Sequence, residues 1–163
     1  MKSVIFWRTF LNSIKLPNKQ AIFALNRIGM DITVIYLFIL LLIVSIPALS
    51  VQLTTGASAD INVFFLLIYF FIFYYLPLTI IIFLLISLFA YFGTGIAKSL
   101  KRKIRFSIIW KLVAYTTTIP FLLYTVLAFF VSINDILMGL FFLYTFLFMI
   151  KIITVFPKRK TRK

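Results

Sequence analysis

All seventeen Lys and Arg residues of this chain fall into three clusters, and long apolar runs lie between them. The first cluster is Lys2, Arg8, Lys15, Lys19 and Arg27. The second is Lys98, Lys101, Arg102, Lys103, Arg105 and Lys111, and the third is Lys151, Lys158, Arg159, Lys160, Arg162 and Lys163. Short cytosolic loops keep Lys and Arg whereas translocated loops lack them. The alternation therefore predicts an all-α integral membrane protein of four transmembrane helices in two hairpins, with both termini and the middle cluster in the cytosol.

Composition narrows the chemistry. Apolar residues occupy 64% of the positions, more than a soluble core requires, so lipid is the expected solvent and residues 1–163 read as a single polytopic membrane domain. Cys, His and Glu are absent, and the carboxylates are Asp31, Asp60 and Asp135, far apart in sequence. Paired-carboxylate catalysis, His-activated nucleophiles and thiolate metal sites need residue types that this chain lacks. No enzyme, metal or cofactor is expected. A Ser99–Lys101 pairing is the remaining nucleophile arrangement, but Lys101 lies in a dense cationic stretch with no accompanying oxyanion site. The net charge of +14 also fits nucleic acid in principle. Every basic cluster abuts an apolar run, however, so anionic lipid head groups are the expected partner and nucleic acid is not.

Along the chain, residues 1–29 read as interfacial helices. Trp7, Phe10, Leu11 and Ile14 recur at helical spacing opposite Arg8, Thr9, Asn12 and Lys15, which predicts an amphipathic helix broken at Pro17. The spans are expected at about 32–49, 61–92, 112–131 and 136–156, followed by a basic cytosolic tail at 157–163. Pro47 is expected to bend or end the first span, and Gln52–Asp60 to form an external loop. The run at 61–92 is about 48 Å long as a straight helix, and reads as one tilted span kinked near Pro77. Splitting it would put the middle cations outside. Gly93-Thr94-Gly95 is expected to end or flex that helix. In the following segment the cations should stay in water while Trp110 and its apolar neighbours bury at the interface. In the third span, Thr116, Thr117 and Thr118 precede Pro120, and their hydroxyls suit carbonyls freed by the proline. The same cluster could line a passage. Ser132–Asp135 reads as a tight external turn, and Lys151 as a snorkelling residue.

The aromatic helix leading to Pro17, the span carrying Tyr36 and ending Ser45-Ile46-Pro47, the string IIWKLVAYTTTIP and the closing Pro157-Lys158 resemble one family. It comprises small, largely uncharacterised membrane proteins of Gram-positive bacteria, some described as maltodextrin utilization proteins, and belongs to the Yip-domain clan. The resemblance implies a multi-pass plasma-membrane protein with an accessory connection to carbohydrate uptake, and it supplies no active residues. Larger members carry a longer extracytoplasmic insertion that is short here. The expected function is therefore a non-enzymatic accessory or scaffold protein, contacting a membrane-protein partner or its own copy. Arg102, Lys103, Arg105, Lys158, Arg159 and Lys160 are its candidate lipid contacts. The alternative is a small oligomeric transporter or channel subunit.

Overall fold

The computed structural model describes residues 2–55, 62–130 and 135–158, which are almost entirely helical. In chain order the elements are α1 (Lys2–Ile14), α2 (Lys19–Asn26), α3 (Met30–Thr55), α4 (Val63–Phe70), a π-helical turn (Phe71–Tyr75), α5 (Leu76–Ser99), α6 (Phe106–Thr116), α7 (Thr118–Phe130) and α8 (Asp135–Val155). Three stretches are long and apolar enough to cross a membrane: Met30–Thr54, Val63–Ser99 and Phe106–Phe130. A shorter apolar stretch occupies Gly139–Val155. This is an all-α membrane protein. The expected turns at 56–60 and 132–134, and the tail beyond Lys158, lie outside the described residues.

Each proline is absorbed differently. In α3 the helix runs through buried Pro47 to Thr55 instead of ending there, so the first part of the expected external loop is helical. Hydroxyls lie on either side of the proline, with Ser45 donating to the Leu42 carbonyl at 2.7 Å and Ser50 to the Pro47 carbonyl at 2.7 Å, and neither takes up the Ile43 carbonyl that the missing amide frees. In the second span the π turn sits directly before Pro77, and the Leu76 amide donates to Phe71, five residues back. Widening one turn takes up the register that the imino nitrogen cannot serve. The rod from Val63 to Ser99 thus continues unbroken for 37 residues, about 55 Å of helix. In the third span Thr117 is a one-residue break between α6 and α7, and Pro120 falls in the first turn of α7, where a missing amide is tolerated.

The glycine pair does not end α5. The helix passes through Gly93 and Gly95 and stops six residues after Gly93, at Ser99. Its C-terminus is a Schellman motif: the Arg102 amide reaches the Ala97 carbonyl at 2.8 Å and the Lys101 amide reaches Lys98 at 3.0 Å. Lys101 occupies the left-handed position with φ 51°, where glycine is the usual residue. Gly93 serves packing instead. A Cβ there would meet Met149 Sδ at 2.8 Å and Ile109 Cγ2 at 2.9 Å, so it marks the close approach of α5 to α6 and α8.

The hub is α6. It packs against α1, α2, α3, α5, α7 and α8, and Leu112, Val113, Ala114 and Tyr115 are buried in succession. A helix buried around its whole circumference is expected only inside a bundle. Trp110, read from sequence as an interfacial residue, lies in this core: its Nε1 donates to Ser87 at 3.0 Å and its ring lies 5.7 Å from that of Phe83. The indole has a protein partner, so burial leaves no donor unmet.

The N-terminal helix is amphipathic as expected, and its small polar side chains are the ones that meet the bundle. Thr9 and Ser13 are fully buried against the bundle, while Trp7, Leu11 and Ile14 are exposed. Thr9 and Ser13 donate to the carbonyls of Ile5 and Thr9, which neutralises their hydroxyls and leaves small side chains suited to close helix approach. An apolar stripe turned outward is stable where the surroundings are lipid.

Candidate functional site: the cationic end of the bundle

The three cation-bearing segments meet at one end of the bundle. The Arg102 backbone pairs with Lys158 in an antiparallel bridge, and the Lys103 amide reaches the Pro157 carbonyl at 3.3 Å. The Arg102 guanidinium donates through Nη1 to the Phe156 carbonyl, at the C-terminus of α8. Lys111 Nζ donates to the carbonyls of Asn26 at 2.8 Å and Ile28 at 2.7 Å, just past the end of α2. Phe23 of α2 packs on Phe156, with ring centroids 5.6 Å apart. The first segment is thereby tied to the second, and the third to both.

Two of these cations have structural work. Helix C-termini expose carbonyls that intrahelical bonds cannot satisfy and carry the negative end of the dipole, so a cation there is favourable. Arg102 caps α8 and Lys111 caps α2. Both side chains are half-buried, whereas the sequence reading left both in water. Arg102 Nε is buried without a partner, so the guanidinium is held by its terminal nitrogen.

Among the candidate lipid contacts, Lys103, Arg105 and Lys158 are exposed, and Lys98 and Lys101 beside them are exposed too. Arg159 and Lys160 lie outside the described residues. Immediately above this end the surface is apolar, with Phe92 and Tyr91 on α5 more than half exposed. Cations bordering exposed aromatics match the layering of a head-group region over hydrocarbon.

A buried polar seam runs between α3 and the α6–α7 junction. The Tyr115 and Thr33 hydroxyls lie 2.8 Å apart, as do those of Tyr36 and Thr118 at 2.9 Å. Thr33 already donates to the Gly29 carbonyl at 3.0 Å, so Tyr115 donates to Thr33. The two tyrosine rings meet edge-on at 5.4 Å. Thr116 and Thr117 return their hydroxyls to Leu112 and Ala114, both at 2.8 Å. The threonine cluster read as proline relief or passage lining is thus divided: two hydroxyls bond within α6, upstream of the carbonyls that Pro120 frees, and Thr118 joins α7 to α3. Among the described residues no group of three or more His, Cys, Asp or Glu is placed to hold a metal.

No protein-family model matches the chain, and neither the curated proteins nor the solved structures contain a match.

Proposed function

We propose that this protein is a non-enzymatic accessory or scaffold protein of the bacterial plasma membrane, with a basic cytosolic face against anionic lipid. In this reading the chain crosses four times as two hairpins, and α1 and α2 form a cytosolic collar around the base. The observation that carries it is the meeting of three cation-bearing segments at one end of an otherwise apolar helical bundle. Positive-inside retention assigns that end to the cytosol. The outward apolar stripe of α1 supports the same picture, because Trp7, Leu11 and Ile14 need lipid or another membrane protein to cover them. The resemblance to the Gram-positive family extends the proposal to an accessory role in carbohydrate uptake.

The native chain has no cysteine, so single cysteines report side without background. Cysteines replacing Lys19, Lys103 and Lys158 should react with a membrane-impermeant maleimide only from the cytosolic side, and one replacing Thr54 only from outside. External labelling of position 103 would refute the topology. For the lipid face, native mass spectrometry of protein from mixed anionic and zwitterionic nanodiscs should retain anionic lipid. Replacing Lys103, Arg105 and Lys158 together by Gln removes up to about 1 kcal/mol of attraction each and should abolish that selectivity. Unchanged selectivity would remove the lipid half of the proposal. Arg102 is left in place in this test because it caps α8.

A further inference from the structure

A half-open apolar cavity of about 170 Å³ lies among α3, α5, α7 and α8. Its origin is the break at Thr117. Up to that residue α6 fills the axis of the bundle, packing on α3, α5 and α8 at once. Past it α7 packs chiefly on α3 and makes little contact with α5 or α8. The axis is vacated there, and Thr117 and Pro120 themselves line the space. Val44, also on the wall, lies about 21 Å along α3 from Met30 and about 17 Å from Thr55, so the cavity lies near mid-membrane.

The cavity is long in one direction. Tyr74, Leu78, Ile82, Ile86 and Phe89 recur along one face of the second span and give it a wall about 22 Å long. Its two ends differ. Next to Phe89, Ala90 is fully buried and Gly93 lies against Met149 and Ile109, which seals the end nearer the cationic face. Beyond Tyr74, α4 makes little contact with any other helix, so no such plug of described residues closes the far end, and Phe142 on the α8 wall is exposed.

Size and polarity choose the occupant. The wall is almost wholly apolar and carries no charged side chain. Thr117 donates to Ala114 at 2.8 Å and Thr145 to Phe141 at 3.0 Å, so these wall hydroxyls are satisfied within their own helices. Water does not enter a space of that character, and a void left empty forfeits the dispersion contacts of its lining. The volume is close to the roughly 150 Å³ that takes up a benzene ring, whereas a helix about 10–12 Å across is too wide. A space of single-ring girth drawn out along a helix face takes a hydrocarbon chain lengthwise. We infer that the cavity holds one acyl chain of a phospholipid from the leaflet opposite the cationic end, its terminal methyl against Ile86 and Phe89 and its ester end leaving past Tyr74. This inference rests on the chain lying in a bilayer and is independent of which side is cytosolic.

The test uses phosphatidylcholine carrying a photoactivatable diazirine either at the end of one chain or at its middle. Full-length protein in nanodiscs containing one probe or the other is irradiated, and the insertions are mapped by mass spectrometry. The terminal probe should label Ile86 and Phe89, and the mid-chain probe Tyr74 and Leu78. Leu84 and Leu88, on the exposed side of the same helix, report ordinary surrounding lipid. Val44→Phe and Ile82→Trp, each checked for folding by its thermal transition, fill the space from α3 and from α5. Both should abolish terminal labelling of Ile86 and Phe89 while leaving Leu84 and Leu88 labelled. Wall labelling that persists in the filled variants would make the signal surrounding lipid only and overturn the inference. So would a wild-type wall left unlabelled while Leu84 and Leu88 react, or mid-chain labelling deeper than terminal labelling, which would bring the chain from the other leaflet.

Discussion

Gly93 and Gly95 lie two residues apart in one helix, yet substituting them by alanine should move stability in opposite directions. At Gly95 a Cβ meets nothing within 4 Å, so alanine adds only its better helix propensity, about 0.5–1 kcal/mol. At Gly93 the same Cβ lands 2.8 Å from Met149 Sδ and 2.9 Å from Ile109 Cγ2, whereas carbon pairs prefer about 3.5–4.0 Å. Met149 is flexible but buried, and Ile109 is buried and stiff at its branched Cβ, so neither retreats freely. Overpacking of this kind costs about 1–3 kcal/mol, and the propensity gain offsets about 1 of that. The net is a loss of up to about 2 kcal/mol. For a chain of this size that lowers the melting temperature by up to about 8 °C, while Gly95→Ala raises it by about 1–4 °C. Thermal unfolding in one mild detergent, followed by circular dichroism, measures both. Pairing Gly93→Ala with Met149→Ala should recover part of the loss, giving a coupling of about 1 kcal/mol in a double-mutant cycle. If Gly93→Ala stabilises as Gly95→Ala does, the close approach of α5 to α6 and α8 is wrong.

Two further outcomes follow from the cationic end. Lys101→Gly should raise stability by about 1 kcal/mol, because φ 51° strains a lysine but not a glycine; a fall in melting temperature would contradict the Schellman geometry. Lys111→Met should lower stability by about 1–2 kcal/mol, discounted for its half-exposed setting, by freeing the Asn26 and Ile28 carbonyls. The same variant should be cut faster by trypsin at exposed Arg27, and unchanged cleavage would show that the lysine does not fasten α2.

What could be read in advance was what depends on periodicity and side-of-membrane chemistry. Apolar runs long enough to span and a single rod through the 61–92 region both follow from the sequence, and the helix indeed continues past Pro77. What escaped was decided by neighbours. Gly93 resembles a helix end locally, but its function is set by Met149 and Ile109, which are distant in sequence. For α1 periodicity finds a stripe without saying which side meets protein; in lipid the small polar side, Thr9 and Ser13, can pack inward. Trp110 looked interfacial because Ser87, its acceptor, lies on another span. Lys111 looked solvated for the same reason, its acceptors being 83 and 85 residues away.

The burial of α6 has a consequence for biogenesis. Phe106–Phe130 is the least hydrophobic of the three long stretches, and in its first half Ile109, Trp110 and residues 112–118 are buried in protein. Lys111, Trp110 and Thr118 meet their hydrogen-bonding partners only once earlier segments are present, among them Asn26, Ile28, Tyr36 and Ser87. Released alone from a translocon into lipid, this segment would present those groups unsatisfied. Its integration therefore belongs to assembly with α3 and α5 already at the exit site, making the third crossing a step of folding as much as of insertion.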